Sequence, residues 1–550
     1  MDYFKRPLLF LLLWVFILVF LIQHPIRYDS TQDQRYTLSS LAIEQLDKLD
    51  SPLRIDVFLT GHLPVTYRQF EKEMRVFLNQ IKQYKNDVLI SFNDPFEFGD
   101  EEDAIREMES YGMTAQRVFE MQDGTRKESI VFPWIIINYG ERSERISLIE
   151  RQLGDSEQEV LQKGLQQLEY HLFDGIHKIS IKNKTNIAFL TSHKTSESLL
   201  LADLLQSLKP YYNLASFDLK NPALSPQITL ENLMRFQLLV VSNPKESFTT
   251  SEKYILDQFE LNGGHILWML NGIEIERESL YTTSGTAYGF PIELEMDDYF
   301  FLRGIRINKK IVKDLYCAPI VLASGEVNQT QFIPYPWPYF PLAKPENTPL
   351  GNDLGPVYGQ YMSTIDTLAN ELQKKVLLKT SAFTKSIGPP VFIKIEEALN
   401  DIVPADYNES SYILGVDING VTSSLFKNKI KPFEIENHIN EGVVNSVYFS
   451  DGNLAENQTD KGNFLPLGYD KWTSNEYANK TFLMNVIHQL SNASQRIELR
   501  QKKWILTPYD TQRIAHYAQI IKWILLFAPT LLGILIGGLI YWQRSKHFNA

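Results

Sequence analysis

Two long apolar segments enclose a polar, globular region of this chain and limit what it can fold into. The first is unbroken from Leu8 to Ile22, and the second runs from Ile520 to Trp542 with Lys522 as its single charged residue. A bilayer core about 30 Å thick needs roughly 20 apolar helical residues, which the second segment supplies. The first segment is shorter, but no small-residue cleavage site follows it, so we expect it to be retained. The pattern predicts a soluble body anchored to one membrane at both ends.

The charges that flank both segments predict the orientation of the chain. Lys5 and Arg6 precede the first segment, and Arg544 and Lys546 follow the second. Because basic residues are enriched on the cytoplasmic side of a membrane, we expect both tips in the cytoplasm. The long region between the anchors then lies outside, which in a diderm bacterium is the periplasm. We therefore expect a cytoplasmic (inner) membrane protein with two spans and a large periplasmic region.

Composition and motifs argue against several classes of function. The net charge of −12, from 54 basic and 66 acidic side chains, argues against a nucleic acid as partner. Cys317 is the single cysteine, which excludes an internal disulfide, a CxxC redox pair and a cysteine-based zinc site. The chain has no G-x-x-x-x-G-K-[ST] loop for nucleotide phosphates. No dinucleotide-binding G-x-G-x-x-G follows the first predicted strand of the larger domain, and no G-x-S-x-G nucleophile elbow of a serine hydrolase is present. We expect no catalytic residues, no cofactor and no enzymatic activity.

The histidine-containing and acidic segments lack the spacing of a metal site. His171 and His177 flank Asp174, but residues three and six apart on a helix do not share one face as an i, i+4 pair would. The carboxylate run from Asp100 to Asp103 favours a helix N-terminus, where negative charge suits the helix dipole. A calcium loop is the alternative for this run, although its carboxylates are contiguous and not spaced as in a coordinating loop. We expect no resident metal.

Residues 36–180 are predicted to form a thioredoxin-like α/β domain. Helices are predicted over residues 40–49, 65–84, 100–111 and 155–176, and strands over residues 53–59, 88–92, 131–139 and 144–149. The order β-α-β-α-β-β-α is that of the thioredoxin fold, and Pro133 stands near the start of the third predicted strand. The redox cysteines of that fold are absent, so we interpret the domain as a scaffold.

Residues 186–490 are predicted to form a larger α/β domain of flavodoxin or amidotransferase-like type. Strands are predicted over residues 186–191, 214–218, 237–242, 265–270, 375–380, 412–416 and 446–450, and helices over residues 196–208, 250–262 and 477–490. Alternating strands and helices indicate a parallel sheet with right-handed crossovers. A long irregular insertion is expected over about residues 271–368, and the late strands could join this sheet or form a third domain. The amidotransferase nucleophile has no counterpart, because Asn243 follows the third strand and Cys317 lies in the insertion.

Polar residues follow several of the predicted strands of the larger domain. Ser192 and His193 follow its first strand, Asn243 follows the third, and Asp451 and Asn453 follow a late strand. Ligands of open α/β sheets bind outside the carboxyl ends of the strands, where these side chains are expected. They could line a pocket for a peptide or a sugar, although ordinary polar loop composition explains them equally well.

An aromatic and proline-rich segment spans residues 332–341. Its alternating prolines favour an extended, preorganised backbone that presents Tyr335, Trp337 and Tyr339. Such a segment suits either a partner-binding surface or a strap that covers the core, and we favour the strap.

Gly533 and Gly537 form a G-x-x-x-G pattern in the second apolar segment. Small residues at this spacing let another membrane helix approach closely. The pattern predicts a packing surface for a membrane partner.

Several segments together resemble the GldG family of gliding-motility-associated ABC transporter components from Bacteroidetes. They are RYTLS at residues 35–39, LRIDVFLTG at 53–61, FEKEMRVFLNQIKQY at 70–84 and PWPYFPL at 336–342. The resemblance implies a membrane-anchored extracytoplasmic subunit that accompanies an ABC ATPase and a multi-span permease. It supplies no catalytic residues and leaves the transported substrate open.

The combined expectation is a non-enzymatic, periplasmic auxiliary subunit of an ABC transporter complex associated with gliding motility. The alternatives are a structural scaffold of a cell-envelope motility complex and a membrane-surface enzyme related to amidotransferase-like proteins. The expected division is a cytoplasmic tip at residues 1–7, an anchor at 8–26, periplasmic domains at 36–180 and 186–490, a connector at 491–518, a transmembrane helix at 520–542 and a cytoplasmic tip at 543–550.

Overall fold

The computed structural model describes residues 37–97, 100–122, 125–149, 156–324, 331–352 and 354–493, and in the C-terminal segment residues 517–524, 526–528, 531, 533–535, 537–538 and 542. These residues fall into two units, a body within residues 37–493 and a C-terminal helical segment from residue 517. The predicted anchor at 8–26, both predicted tips and most of the predicted connector lie outside the described residues.

The N-terminal part of the body contains a four-stranded sheet. In chain order the strands are β1 (Leu53–Val57), β2 (Val88–Phe92), β3 (Gln116–Gln122), β4 (Thr125–Val131), β5 (Trp134–Tyr139) and β6 (Arg142–Ser147), and the helices are α1 (Ser40–Asp47), α2 (Val65–Tyr84), α3 (Glu101–Ser110) and α4 (Glu157–Ser180). β1 pairs in parallel with β2 and antiparallel with β5, which gives the order β2-β1-β5-β6. β3 and β4 form a separate hairpin that the sequence patterns did not predict.

The helix α2 has the predicted bounds, and its apolar spacing produces one buried face. Phe70, Phe77 and Ile81 lie on one face of this helix and are buried. On α4, Gly164 comes so close to the preceding loop that an added Cβ would lie 2.6 Å from the carbonyl oxygen of Leu148. The same Cβ would lie 3.1 Å from the ring of Phe70, so glycine at this position allows α4 to pack closely on α2.

The remaining strands and helices of the body are as follows. The strands are β7 (Thr185–Leu190), β8 (Tyr212–Phe217), β9 (Leu238–Ser242), β10 (His265–Met269), β11 (Ile273–Ile275), β12 (Thr286–Pro291), β13 (Ile305–Asn308), β14 (Ile311–Asp314), β15 (Cys317–Ser324), β16 (Gln331–Pro345), β17 (Val357–Tyr358), β18 (Thr364–Thr367), β19 (Gln373–Lys379), β20 (Thr384–Ile387), β21 (Val391–Lys394), β22 (Ile413–Ser423), β23 (Glu441–Phe449), β24 (Thr459–Asp460), β25 (Asn463–Phe464), β26 (Tyr469–Asp470) and β27 (Asn475–Glu476). The helices are α5 (Ala202–Leu208), α6 (Pro226–Leu233), α7 (Thr250–Leu261), α8 (Asp297–Leu302) and α9 (Asn479–Leu490).

A long mixed sheet forms the centre of this larger part. Its strand order is β15-β16-β19-β22-β23-β10-β9-β7-β8. The strands β7, β8, β9, β10 and β23 are parallel, and numbered along the chain they follow the order 2-1-3-4-5 that is found in doubly wound sheets. β22 and β19 extend the sheet in antiparallel pairs. The late strands therefore join the main sheet.

Helices cover both faces of the parallel strands. On one face α5 and α9 contribute Leu204 and Phe482 to one buried apolar cluster. On the other face α6 and α7 contribute Leu233 and Phe259 to a second cluster. This two-sided burial explains why the central strands are almost continuously apolar.

The expectation of an irregular segment over residues 271–368 is wrong. This segment contains β11 to β18 and α8. Several of these strands pair with distant segments, β12 with β21, β13 with β18 and β14 with β20. Local periodicity missed them because their hydrogen-bond partners are remote in the sequence.

The aromatic and proline-rich segment lies within β16, which pairs antiparallel with β15. Pro334, Pro336 and Pro338 stand at alternate positions, so their missing N–H groups all fall on one edge of the strand. The residues between them keep their N–H groups for the other edge. Trp337 and Tyr339 are fully buried in a third apolar cluster, as expected for a segment that covers the core.

The C-terminal unit is helical. Its segment Tyr517–Leu535 is long and apolar enough to cross a membrane, and it is the one such helix among the residues that the structure describes. Gly533 and Gly537 both lie in helical, exposed positions of this unit.

Candidate functional site

The carboxyl edge of the large sheet brings together two of the predicted loops. Asn271, the second residue after β10, donates from Nδ2 to Oδ1 of Asn243 and to Oδ1 of Asn453, both at 3.1 Å. The Gly452 N–H donates to Oδ1 of Asn271 at 2.7 Å. A Cβ at Gly452 would lie 2.6 Å from Oδ1 of Asn243, so the loops after β9 and β23 are in direct contact.

Glu456 is the centre of this network, although the sequence patterns did not single it out. Its Oε1 accepts a hydrogen bond from Ser196 at 2.6 Å and from Nδ2 of Asn243 at 3.4 Å. Its Oε2 accepts from Nδ2 of Asn453 at 2.8 Å. The carboxylate therefore joins the loops after β7, β9 and β23. Asn271 could have been found from its place after a strand, but no local signal marks Ser196 or Glu456.

The other two predicted residues, Ser192 and His193, lie apart from this network. The imidazole of His193 is buried, stacks on Phe248 with ring centroids 3.8 Å apart, and has Nε2 3.3 Å from Oε2 of Glu252. Its Nδ1 lies 3.0 Å from Oγ of Ser192, which also accepts from the Leu219 N–H at 3.2 Å. These contacts hold the loop against α7, and His193 does not face the pocket described below.

Burial and hydrogen bonding shift the pKa of the Glu252 carboxyl in opposite directions. Burial raises the pKa of its carboxyl, but hydrogen bonds with His193 and Thr249 outweigh this effect, and the pKa is lowered. Glu252 also closes a capping box at the start of α7, since its side chain accepts from the Thr249 N–H at 2.7 Å. The ionised carboxylate thus suits a structural role.

Asp451 is a buried carboxyl at the carboxyl end of β23. Its Oδ2 accepts from the Gln360 N–H at 2.9 Å, and its Oδ1 accepts from the Asn453 N–H at 2.8 Å. Burial raises its pKa to about 7; the two N–H groups act in the opposite direction, and the charge of Glu456 adds to the rise. Asp451 is therefore poised between its protonated and ionised forms at neutral pH.

A small open pocket of ≈ 20 Å³ lies beside Asp451, with room for about one water-sized group. The last residue of β17, the residues after β23, the β26–β27 hairpin and the start of α9 surround it. The residues that line it are Tyr358, Gln360, Asp451, Asn453, Glu456, Gln458, Gly468, Tyr469, Asp470, Tyr477 and Asn479. The lining is polar and acidic, and it contains Asp451 and Asn453 from the predicted set.

The other chemistry-bearing residues have ordinary environments. The described part of the chain contains no group of three or more His, Cys, Asp or Glu residues that could hold a metal ion. Cys317 is partly exposed at the start of β15, and burial raises the pKa of its thiol to about 11. A thiol with a raised pKa is a poor nucleophile at neutral pH.

The ionisation of Asp451 predicts a pH-dependent stability. In the unfolded chain the carboxyl ionises near its ordinary pKa of 3.8, whereas in the folded body it keeps its proton up to about pH 7. Folding therefore takes up a proton in this window, and the free energy of unfolding falls as the pH rises through it. Between about pH 5.5 and pH 8 we expect Asp451 to contribute a fall of about 2 kcal/mol.

Urea unfolding of the full-length protein at several pH values measures this effect, with Asp451→Asn as the variant that cannot ionise. The difference in stability between the two proteins should shift with pH in favour of the variant. A difference that stays constant from about pH 5.5 to pH 8 would contradict the raised pKa.

The large sheet, the strands β11 to β18 and the pocket all lie within residues 184–486. This range matches the model of the ABC transport auxiliary family, described as an ABC-type uncharacterized transport system. The chain belongs to this family. Residues 32–138 match a second model, a domain of unknown function.

Other comparisons add little to the family assignment. No curated protein matches the chain. Among solved structures the chain is similar to one titled "mmIFT52 N-terminal domain", with 15% identity, a TM-score of 0.33 and coverage of 56% of this chain and 97% of that chain.

Membership of the ABC transport auxiliary family implies association with an ABC transport system. The helix Tyr517–Leu535 fits a membrane association of the chain. The family range includes both loops of the Glu456 network and the whole pocket, so these features belong to the part of the chain that defines the family.

Proposed function

We propose that this protein is a non-enzymatic, membrane-anchored auxiliary subunit of an ABC transporter complex that serves gliding motility. The observation that carries the proposal is the family match over residues 184–486, which is more than half of the chain. The resemblance of several segments to GldG proteins supports the narrower assignment to a gliding-motility system. The chain has no phosphate-binding motif, so it needs a separate ATPase, and two spans are too few for a transport pathway without a multi-span permease.

The proposed topology places both tips in the cytoplasm and the body in the periplasm. The apolar segments at 8–26 and 520–542 are its proposed anchors. The proposed division of the body is a thioredoxin-like domain at 36–180 and a flavodoxin or amidotransferase-like domain at 186–490. The strand orders of the two main sheets support this division.

The geometry of the carboxyl edge favours a non-enzymatic subunit over a membrane-surface enzyme. The polar side chains of the Glu456 network bond mainly to one another, and His193 is buried against Phe248. Such mutual satisfaction stabilises the loops and leaves none of these groups free to act as a general base in the described part of the edge. A purely structural scaffold is the remaining alternative, and it is separated from a transporter subunit by the experiment below.

Extraction of the tagged full-length protein in mild detergent should co-purify an ABC ATPase and a multi-span permease. Gly537→Leu should reduce the recovered permease several-fold, because a bulky residue at the G-x-x-x-G face keeps a partner helix from close approach. Gly538→Leu is the matched control, since its side chain lies about 100° further round the helix. Mass spectrometry of the eluate measures both effects.

Two other results would contradict parts of this proposal. If the protein elutes alone in several mild detergents, and the ATPase activity of the partner ATPase does not respond to it, the chain is not a transporter subunit. If the partners co-purify equally with both glycine variants, the subunit assignment stands and the proposed packing face of Gly537 is wrong.

A further inference from the structure

The three-stranded sheet of β11, β12 and β21 has an outward face that is aromatic instead of polar. Its inward side chains, among them Ala287 and Ile393, are buried in the third apolar cluster. On the outward face Tyr288, Phe290 and Phe392 are 44%, 64% and 55% exposed. An antiparallel sheet with one solvated face normally carries polar residues on that face. Neighbouring exposed aromatic rings of this kind mark an interaction surface.

The register of the strands determines where each outward side chain lies. Tyr288 on β12 is opposite Phe392 on β21, and their rings are in edge-to-face contact with centroids 5.5 Å apart. Phe290 is opposite Glu274 on β11. Lys394 is exposed two residues beyond Phe392 on β21, and therefore on the same face. Glu274 and Lys394 thus stand at opposite corners of the face, with the aromatic rings between them.

The two corners carry opposite charges that are accessible to a partner. The carboxylate of Glu274 lies 2.5 Å from the ammonium group of Lys245, and both side chains of this pair are partly exposed. A carboxylate has about four lone-pair sites, so Glu274 can accept from a second cation. A surface that fits this face therefore offers aromatic rings at its centre, a cation near Glu274 and an anion near Lys394.

The face itself has this complementary pattern. A two-fold axis that lies in the face, passes through Tyr288 and is perpendicular to the line from Glu274 to Lys394 places these two corners opposite each other in two copies. With strands about 4.8 Å apart and same-face residues about 6.8 Å apart, the axis also brings Phe290 to within about 3 Å of the position of Phe392 in the second copy. Every contact then occurs twice, as in an isologous interface.

The same axis gives an accepted geometry for two packed sheets. The strands of the two copies cross at roughly 70°, near the orthogonal class of sheet packing. A bilayer surface fits the face less well, because the carboxylate of Glu274 would be held against lipid phosphates. The charge pattern therefore favours a second copy of the chain over a lipid surface.

The small size of the face determines how strong this association is. Three strands and three rows of side chains cover roughly 300 Å², less than the about 800 Å² per partner of a stable interface. Two bodies free in solution would thus associate weakly. Two chains held in one membrane by the helix Tyr517–Leu535 meet at a much higher effective concentration, at which a weak interface is occupied.

We propose that two copies of this chain associate in the membrane through the outward faces of β11, β12 and β21. The rings of Tyr288 face each other at the two-fold axis, Phe290 packs on Phe392 of the second copy, and Glu274 pairs with Lys394 of the second copy. The proposal rests on the proposed membrane anchoring for its effective concentration. It does not require the ATPase or the permease.

Site-directed cross-linking of the full-length protein in liposomes tests this association. The single native cysteine is first removed by Cys317→Ser, and Tyr288→Cys then places one thiol at the two-fold axis. A short bismaleimide is the reagent, because sheets packed face to face lie about 10 Å apart, beyond the reach of a disulfide. We expect a covalent dimer in denaturing electrophoresis. Val443→Cys, at a 58% exposed position on β23, is the matched control and should give much less dimer.

Charge reversal distinguishes this arrangement from other contacts of the same face. In the Tyr288→Cys protein, Glu274→Lys alone or Lys394→Glu alone should lower the yield of dimer roughly threefold or more, because each places like charges opposite each other twice. The double variant restores opposite charges at both corners and should recover the yield. Thermal unfolding confirms that each variant is folded before it is reconstituted.

Three results would overturn the proposal. The first is an equal yield of dimer from Tyr288→Cys and Val443→Cys. The second is a folded double variant whose yield stays as low as that of the single variants. The third is a Tyr288→Cys thiol that forms no dimer. In that case, protection of the thiol from maleimide labelling by lipid alone means that the bilayer covers the face. Protection that appears only with co-purified subunits means that one of them does. Co-purification of the ATPase and the permease is measured separately, so failure of the dimer leaves the subunit assignment intact.

Discussion

Replacement of Arg303 by methionine is expected to lower the free energy of unfolding of the body by about 3–5 kcal/mol. Arg303 directly follows α8 and is fully buried. Its guanidinium lies 3.1 Å from Oδ1 of Asp257 and 2.8 Å from Oε2 of Glu260, two buried carboxylates of α7. Arg303→Met leaves both carboxylates buried without their cation, which is why the expected loss is large.

The two carboxylates also connect α7 to its surroundings. Glu260 accepts hydrogen bonds from the hydroxyls of Tyr299 on α8 and Ser446 on β23. Asp257 accepts from the hydroxyl of Ser424 at 2.5 Å. Arg303 thus neutralises a network that holds α7 and α8 to the sheet, and its removal should affect the whole larger part of the body.

Urea unfolding of the full-length protein in mild detergent, followed by tryptophan fluorescence, measures this loss. Arg306→Met is the matched control, because Arg306 lies on the neighbouring strand β13 in an exposed ion pair with Asp366. Exposed pairs of this kind contribute at most about 1 kcal/mol. Equal urea midpoints for the two variants would show that the buried Arg303 network contributes no more to stability than the exposed Arg306 ion pair.

The local elements of the fold were predictable because their signals lie within short stretches of sequence. The apolar residues of α2 recur every three or four positions, and the predicted range of 65–84 is the observed one. The strand predicted at 88–92 is also observed with the same bounds, directly after the turn that ends α2. α6 also has a local signal, since Ser225 caps this helix and Pro226 is its first residue.

Elements fixed by remote contacts were not predictable in the same way. The helix expected over residues 196–208 begins only at Ala202. Ser196 instead donates to Glu456, and its N–H donates to the Ser242 carbonyl at 3.0 Å. These tertiary bonds hold residues before α5 out of the helix, and no local pattern reveals them.

The candidate site was likewise predictable where its residues follow strands, and not where remote contacts determine it. The rule that ligands bind at the carboxyl ends of strands placed Asn243, Asp451 and Asn453 on one edge of the sheet. It could not show that His193 is buried or that Glu456 joins the loops. The pocket itself depends on Asp470, which lies on a two-residue strand that has no periodicity to detect.

Trp337→Ala is expected to lower the free energy of unfolding by about 3–5 kcal/mol. The Trp337 ring is fully buried on β16, 5.0 Å from the ring of Tyr339 and 6.5 Å from that of Phe340 between centroids. Truncation removes a large apolar side chain and leaves a cavity that the neighbouring rings cannot fill without moving.

Phe332→Ala, on the same strand, is the control for this substitution. The Phe332 side chain is 60% exposed and contacts the exposed ring of Trp472, so its loss should change stability by much less. Urea unfolding distinguishes the two variants, and co-purification in mild detergent reports on partners. If Trp337→Ala kept its stability but lost its partners, the aromatic segment would be a docking surface. A large loss of stability with partners retained by the folded protein instead means that the Trp337 ring serves to pack the core beneath β16.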